Sequence, residues 1–387
     1  MGDYTPTVFL NMKHIHYTFA FFLLIFISCS TDNDVDEEQV ADFDRGAVME
    51  NYANNIIIPR YNDFKLSLDN LKSSVDSYVA NPTFSTHEEA HNMWLESYKK
   101  WQYVEMFNMG KAYDISYSKM GNSYPCREDR VNSQISDSIS NISSFSGLLL
   151  GATGFPAIGF MIYGNDSTST IENYTGNDGP KYKAYLNALI SNLVQNTDIV
   201  INNLESTRSS YISSTNNSAT SSLNITVNDF VFYCEKIIRT AKMGNCINWF
   251  GTLPPGSSVQ PMPSEIESYY KPDICKSLLI NSIQSAKMIY TGEHFVNQTD
   301  GIGFRDYLSD LGNADNLINT IDNQFIDLEN KVNLLNDDFT QELATGTDRM
   351  RDAFLSLQNL VTYFKSDMMT DRFGISPDYA DNDGDGG

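Results

Sequence analysis

The feature that most constrains the fold of this chain is a repeated spacing of largely apolar residues by three and four positions. Such a spacing marks one face of an α-helix, because a helix turns once in 3.6 residues. The three clearest sets are Tyr61, Phe64, Leu68, Leu71, Val75 and Tyr78; Leu186, Ile190, Leu193, Thr197, Ile201 and Leu204; and Leu317, Ile321, Phe325, Leu328, Val332 and Leu335. No comparable segment alternates polar and apolar residues as a half-buried strand would. The sequence therefore predicts an all-α protein.

Proline and capping residues indicate where helices begin and end. Pro82 is expected to end one helix, and Ser85 with Glu88, or Thr86 with Glu89, fits a capping box that opens the next. The short run 56–58 is Ile-Ile-Ile and is the best strand candidate. It lies within a helical pattern, which the proline at position 59 is expected to kink.

The helical segments fall into two blocks. Residues 206–224 are rich in Ser, Thr and Asn and predict a long loop, and 253–263 hold four prolines and predict irregular chain. We therefore predict two fused antiparallel helical-bundle domains, at 41–215 and 216–375.

The first residues read as a targeting signal rather than as part of the fold. Met12 is the expected start, and residues 17–27 form an apolar run that is too short to span a bilayer. The following Phe-Ile-Ser-Cys resembles a bacterial lipobox that ends at Cys29. We predict a lipoprotein-type signal peptide at 1–28 and a membrane anchor through acyl chains on Cys29. An ordinary secreted protein with a chance cysteine at the cleavage site is the alternative.

The segment 29–40 is polar and acidic and predicts a flexible tether between lipid and domain. An acidic run directly after the lipid-bearing cysteine resembles the surface-export signal of Bacteroidetes lipoproteins. We therefore expect an outer-membrane lipoprotein of the bacterial cell envelope, either periplasmic or surface-exposed.

Charge excludes one class of partner. The formal net charge is −23, and a surface this acidic repels phosphate backbones, so nucleic-acid binding is not expected. The acidic, Gly-rich end at 376–387 predicts a solvated tail, with a calcium loop as the weaker interpretation because the terminal Glu of such a loop is absent.

Four cysteines remain after Cys29, namely Cys126, Cys234, Cys246 and Cys275. Cys246 with Cys275 is the pair best placed for a disulfide, and four buried free thiols are an equal alternative. No C-x-x-C spacing suggests a metal knuckle.

A short segment at 154–164, Gly-Phe-Pro-Ala-Ile-Gly-Phe-Met-Ile-Tyr-Gly, resembles the G-x-H-x-x-E motif of the imelysin-like family. Gly154 and the apolar run match the motif, but Pro156 replaces its His and Gly159 replaces its Glu. Weaker matches occur in order along the rest of the chain. They are Trp94, Tyr98, Trp101, Glu105, Phe107 and Gly110; Tyr124-Pro125 with Asp129 and Arg130; Met243-Gly244; Ser264 to Tyr270; Ile289 to Gly292; and Asp381 to Asp385.

The resemblance implies an all-helical fold of two bundles with a site at their junction, in an iron-associated group of exported proteins that includes a few metallopeptidases. A proline and a glycine can neither bind a metal nor move a proton. We therefore expect a non-catalytic binding or accessory component of iron or nutrient uptake, whose partner is a small ligand or an envelope protein. No cofactor is predicted. The sequence also contains no P-loop, no nucleophile elbow and no dinucleotide fingerprint.

His87, Glu88 and His91 spell H-E-x-x-H, which on a helix can hold zinc with the Glu as a general base. This motif supports the alternative function, a divalent-metal peptidase. It lies at a helix start, and nothing after His91 has the pattern of a third ligand. Capping the edge of an aromatic core is the simpler role for the two histidines.

The stripe of Trp94, Tyr98 and Trp101 leads to Glu105 one turn further on. Aromatic residues at this spacing are more often core than ligand site. A buried carboxylate at 105 requires a partner, which Arg127 or Arg130 could supply. Through the resemblance, the expected cleft residues are Trp94, Tyr98, Trp101, Glu105, Arg130, Gly154, Pro156 and Gly159.

Overall fold

The computed structural model describes residues 43–142, 147–216, 218–251 and 260–379. The α-helices in these ranges are α1 (Arg45–Asn51), α2 (Ile58–Ala80), α3 (Phe84–Trp101), α4 (Lys111–Asp114), α5 (Tyr117–Gly121), α6 (Glu128–Ser136), α7 (Gly154–Tyr163), α8 (Ser167–Thr175), α9 (Gly179–Ser213), α10 (Ser222–Phe232), α11 (Cys275–Thr291), α12 (Phe304–Asp310), α13 (Asp315–Asn333), α14 (Phe339–Thr345) and α15 (Asp348–Thr362). Three segments are π-helical, Tyr52–Ile57, Tyr233–Gly244 and Tyr363–Arg372, and three short turns are 3-10. No strand occurs within the described ranges, so the all-α prediction is confirmed.

The predicted apolar faces form the core. The six residues from Tyr61 to Tyr78 are at most 1% exposed, and Ile321, Phe325 and Leu328 are equally buried. Helix α2 packs against α3 and α9, while α13 packs against α15, and α15 against the second π-helical segment. Burying such faces is the main source of stability for helices of this length.

The N-terminal helices are also bonded to the C-terminal half of the chain. The Asn51 side chain donates to the carbonyls of Gly292 and Ile302, both at 2.8 Å. Arg60 lies in the core and donates to the Ser285 hydroxyl at 3.0 Å. From Phe43 onward the chain forms one compact unit by its contacts, so the division into domains at residue 215 stays a prediction.

The proline at position 59 causes no break in the chain. The π-helical segment Tyr52–Ile57 continues directly into α2, and Pro59 occupies a first-turn position of that helix. Because the helix is continuous here, Pro59 has no amide to bond the preceding turn, and the carbonyl of Asn55, four residues earlier, accepts from the Phe295 amide at 2.9 Å instead. The strand candidate at 56–58 is therefore helical.

The start of α3 lies earlier than either capping box predicted. Thr83 is the N-cap, and its hydroxyl accepts from the amide of Thr86 at 3.3 Å. The Thr86 hydroxyl accepts from the Thr83 amide at 3.1 Å, which completes a capping box between two threonines. Ser85, Glu88 and Glu89 therefore follow the cap rather than form it.

The predicted loop at 206–224 is much shorter in the structure. Helix α9 continues to Ser213, and α10 begins at Ser222. Ser and Thr side chains in this stretch bond the backbone of their own helix, as Thr207 does to the Asn203 carbonyl at 2.8 Å. Packing outweighs composition here, because Tyr211 bonds Thr226 of α10 at 2.9 Å.

All four cysteines of the described chain are free thiols, so the Cys246–Cys275 disulfide does not form. Three are buried, and burial raises the pKa of Cys246 to about 12. Such thiols are unreactive at neutral pH.

The predictions for 1–28, Cys29, the tether 29–40 and the acidic residues 381–385 lie outside the described residues. Among the helices that are described, none combines the length and the hydropathy needed to span a membrane.

Candidate functional site

Helix α7 carries the segment that resembles the family motif, and a close backbone contact fixes where it begins. Gly154 has φ +69°, and a Cβ built on it would lie 2.0 Å from the carbonyl oxygen of Gly121 in α5. Only glycine combines this backbone conformation with such an approach. The first turn of α7 is therefore locked against the end of α5.

The two altered motif positions face an aromatic wall. A Cβ on Gly159 would lie 3.0 Å from Cζ2 of Trp94, and Trp94 donates its indole N–H to the Phe155 carbonyl at 3.2 Å. The cavity that Pro156 and Gly159 line has a volume of only about 10 Å³. A cavity of this size holds about one water molecule and nothing larger. The segment offers neither a side-chain donor nor space for a ligand.

The aromatic stripe of α3 is core. Tyr98 stacks on Phe155 with ring centroids 4.5 Å apart and planes within 2°. Trp101 packs against Phe64 at 5.6 Å and Phe155 at 5.8 Å. The stripe therefore holds α2, α3 and α7 together through ring contacts.

Beyond this core lies a buried group of charges, Glu105, Lys242 and Glu267, here called the junction cluster. The Lys242 ammonium lies 2.6 Å from Glu267 Oε1 and 3.2 Å from Glu105 Oε2. The side chains are 1–4% exposed. Lys242 comes from the second π-helical segment and Glu267 from the chain before α11, so the cluster joins both halves of the sequence.

Amide groups complete the hydrogen bonding of the junction cluster. Gln102 accepts from Lys242 at 2.7 Å through its Oε1 and donates to Glu267 at 3.0 Å through its Nε2. The Asn122 amide donates to both carboxylates, at 2.7 Å to Glu105 and 2.8 Å to Glu267. Such bonding is what makes buried charge tolerable.

The charges of the junction cluster do not balance, because two carboxylates share one ammonium. Burial raises the pKa of Glu105 above its ordinary value, against the opposing effect of Lys242. Burial alone would lower the pKa of Lys242, but the charges of Glu105 and Glu267 raise it. Lys242 is therefore held as the cation, and Glu105 binds a proton more readily than an exposed glutamate does.

Glu105 also faces a cleft of about 690 Å³. The lining residues are Glu105, Met106, Asn108, Tyr113, Asp114, Ser116, Ser118, Lys119, Phe232, Tyr233 and Ile237. A separate cavity of about 320 Å³ lies between α9, α10 and the first π-helical segment, and none of the residues that line it is an acid or a lysine. The 690 Å³ cleft is lined by Glu105 of the junction cluster, whereas Glu267 lines the 10 Å³ cavity beside Pro156 and Gly159.

Arg130 was expected in the cleft, and Arg127 or Arg130 was expected to pair with Glu105, but the structure places both elsewhere. Arg130 donates to the carbonyls of Gly147 and Leu150 at 3.0 and 2.9 Å. Arg127 pairs with Asp129 at 3.0 Å. Both arginines bond residues in and around α6. Lys242, rather than either arginine, is the cation paired with Glu105.

His87 and His91 do approach each other, with their Nε2 atoms 2.9 Å apart. Both Nε2 atoms also lie within 2.9 Å of the Ile162 carbonyl at the end of α7, while Glu88 is exposed. Burial lowers the pKa of His87, and burial together with the His87 charge lowers that of His91 to about 4. No group of three His, Cys, Asp or Glu side chains suited to a metal occurs within the described ranges. The two histidines serve as core polar groups.

Comparison with known proteins identifies the fold. The imelysin family profile, also named peptidase M75, matches residues 57–366. A crystal structure from Parabacteroides distasonis, provisionally named an iron-regulated protein A precursor, superposes with a TM-score of 0.67 at 16% identity, over 83% of this chain and 93% of that one. An imelysin-like protein from Psychrobacter arcticum gives 0.65 at 16% identity, over 87% of this chain and 97% of that one. No curated protein sequence matches.

Proposed function

The chain belongs to the imelysin family, and on that basis we propose that it is a non-catalytic binding or accessory protein of the bacterial cell envelope, serving uptake of iron or another nutrient. The name of the Parabacteroides neighbour supports the link to iron, since it describes that protein as iron-regulated. The predicted acyl chains on Cys29 would hold the folded domain at a membrane surface.

One observation carries the non-catalytic part of the proposal. The positions that match the motif's His and Glu are Pro156 and Gly159, and the ring of Trp94 fills the adjoining space. Hydrolysis by a protein needs a group that binds a metal, moves a proton or attacks the substrate. This segment supplies none of them. The peptidase alternative through His87, Glu88 and His91 gains no support, because both imidazoles are engaged at the Ile162 carbonyl.

The proposal is tested by deleting the gene and comparing growth in iron-replete medium with growth in medium depleted by a chelator. We expect the deletion strain to lag only under depletion and to recover with the wild-type gene. The Cys29→Ser gene should restore growth poorly, because the protein is no longer anchored.

A parallel assay tests the absence of catalysis. Purified protein is incubated with casein and each of several divalent metals, and we expect no cleavage. Metal-dependent cleavage that His87→Gln abolishes would establish the peptidase alternative. Equal growth of all strains under depletion would remove the uptake role.

A further inference from the structure

The 690 Å³ cleft has the size of a small-molecule site and contacts the junction cluster at one residue. Ligand pockets commonly range from about 300 to 1,000 Å³. Of the three charged members of the cluster, Glu105 lines the cleft, whereas Lys242 and Glu267 do not. The Glu105 side chain is 4% exposed, so a ligand would meet a largely desolvated carboxylate there.

The charge of the cluster favours a positively charged ligand. Glu105 and Glu267 carry two negative charges, Lys242 carries one positive charge, and the bonded partners Gln102 and Asn122 are neutral. An unbalanced buried charge is unfavourable and is relieved by a proton or by a second cation. The raised pKa of Glu105 agrees with this tendency. Glu105 is also the charged residue of the cluster that lines the cleft.

The walls of the cleft indicate which kind of cation fits. Tyr113 is 69% exposed, Phe232 is 38% exposed, and the buried Tyr233 lines the same cleft as Glu105. Aromatic faces attract organic ammonium groups, whereas hard metal ions require several oxygen ligands. Lys119 and Asp114 also line the cleft, but both are exposed and Asp114 pairs with Lys111 at 2.9 Å, so solvent and salt screen their effect on a ligand at the buried Glu105.

We propose that this cleft binds a small organic cation, with its ammonium group at Glu105 and its carbon body against Tyr233, Phe232 and Tyr113. The inference rests on the proposed binding function and names the ligand class for it. Lys242 then acts as a fixed internal cation that leaves one negative charge for the ligand.

The test uses two cations and their uncharged analogues as probes, namely choline with 3,3-dimethylbutan-1-ol, and n-propylammonium with propan-1-ol. Titrations of the purified mature domain are followed by ligand-observed NMR and by calorimetry. We expect saturable binding of at least one cation, and affinity for its neutral analogue lower by about tenfold or more, the scale of a desolvated cation–aromatic contact.

Three variants locate the site. Glu105→Gln removes the charge and keeps the shape, and it should lower affinity for the cation about tenfold or more while leaving the neutral analogue unchanged. Tyr113→Ala and Phe232→Ala should each lower it several-fold, since they remove an aromatic wall. Phe84→Ala is the matched control, because Phe84 is a comparably exposed aromatic residue, 63%, that does not line the cleft.

Equal binding of cations and neutral analogues, unchanged affinity in Glu105→Gln, or no binding of either cation would each overturn the proposal. Far-ultraviolet spectra establish that Glu105→Gln is folded, and if it is not, the two exposed aromatic variants decide. If neither cation binds as expected but the deletion strain still lags under iron depletion, only the proposed ligand class is wrong. If a cation binds as expected but the deletion strain grows normally under iron depletion, only the proposed uptake role is wrong.

Discussion

The indole ring of Trp94 occupies the space into which a side chain at Gly159 would project, with Cζ2 of the ring 3.0 Å from the position of a Cβ. The family motif places a glutamate at position 159. In this chain the position has lost its carboxylate, and the space beside it is filled by an aromatic ring that also bonds the Phe155 carbonyl. Restoring the motif therefore requires repacking as well as substitution.

We predict that Gly159→Glu lowers the free energy of unfolding by about 2–5 kcal/mol, because it overpacks the core and buries an unpaired carboxylate. Gly159→Ala should cost far less, since a methyl group needs only a small shift of the ring and alanine favours a helix. Urea unfolding measures both. Adding Trp94→Ala to Gly159→Glu should cost less than the sum of the two single changes. Simple additivity would show that the ring and position 159 do not compete for space.

The same contact bears on metal binding. Pro156→His with Gly159→Glu restores both motif side chains, but we expect it to bind a divalent metal tightly only when Trp94 is also shortened to Ala. Calorimetric titration with Zn²⁺ distinguishes the double from the triple variant. Tight binding by the double variant would mean that Trp94 moves aside without cost. If the wild type binds a metal tightly, and changing His87, His91 and Glu105 leaves that binding unchanged, the view that the motif site was lost fails.

Lys242 is the residue of the junction cluster whose loss should be most damaging. Lys242→Met leaves two carboxylates facing each other in the core, and breaking a buried pair typically costs about 3–5 kcal/mol. The cost should shrink toward acidic pH. An acid whose folded pKa is raised contributes stability at low pH and loses it as pH rises through that pKa. Unfolding at pH 5 and pH 8 measures the difference.

Lys72→Met is the matched control for Lys242→Met, because Lys72 forms an exposed pair with Asp76 and such pairs are worth about 1 kcal/mol or less. Combining Lys242→Met with Glu267→Gln should recover part of the stability. A loss no greater than that of Lys72→Met would show that the cluster contributes little to folding.

His87 and His91 should make the fold sensitive to acid. Burial lowers the pKa of both, that of His91 from 6.5 to about 4, so below pH 6.5 the unfolded chain binds more protons than the folded one. The free energy of unfolding should therefore fall as pH drops from 6.5 toward 4. In His87→Gln with His91→Gln that fall should be shallower, as measured by urea midpoints at several pH values. Parallel slopes for variant and wild type would contradict the assignment.

The lipid anchor at Cys29 is tested by location. Cys29→Ser should move the protein from the membrane fraction to the released fraction, because the acyl chains have no other predicted attachment point. Immunoblots of fractionated cells measure this, with an unchanged integral membrane protein as the reference. A variant that stays in the membrane fraction would mean that another segment anchors it.

Local periodicity predicted the helices well, because the apolar residues of each buried face recur every three or four positions, as from Tyr61 to Tyr78 in α2. Composition predicted a loop at 206–213, but these residues are helical. Their Ser and Thr hydroxyls bond carbonyls of the same helix, and tertiary contacts such as that of Tyr211 with Thr226 hold the helix in place.

The junction cluster could not be read from any local pattern. Lys242 reaches Glu105 across 137 positions. The segments around Lys242 and Glu267 resembled the family, but only the fold shows that their charges meet at Glu105. Arg127 and Arg130, the partners predicted for Glu105, are nearer to it in sequence, but they bond residues in and around α6 instead.

The hydrogen bonds between Asn51 and the carbonyls of Gly292 and Ile302 have a consequence for the order of folding. These groups are 241 and 251 positions apart in the chain. During synthesis the Asn51 amide is made long before either acceptor exists, and contacts of such high sequence separation slow folding relative to bundles with local contacts. The helices can form as they emerge, and α1 can pack against α9 and α10 before α11 exists. The Asn51 bonds, however, form only after α11 and the chain following it have been made, so the attachment of α1 is completed late although α1 itself is made early.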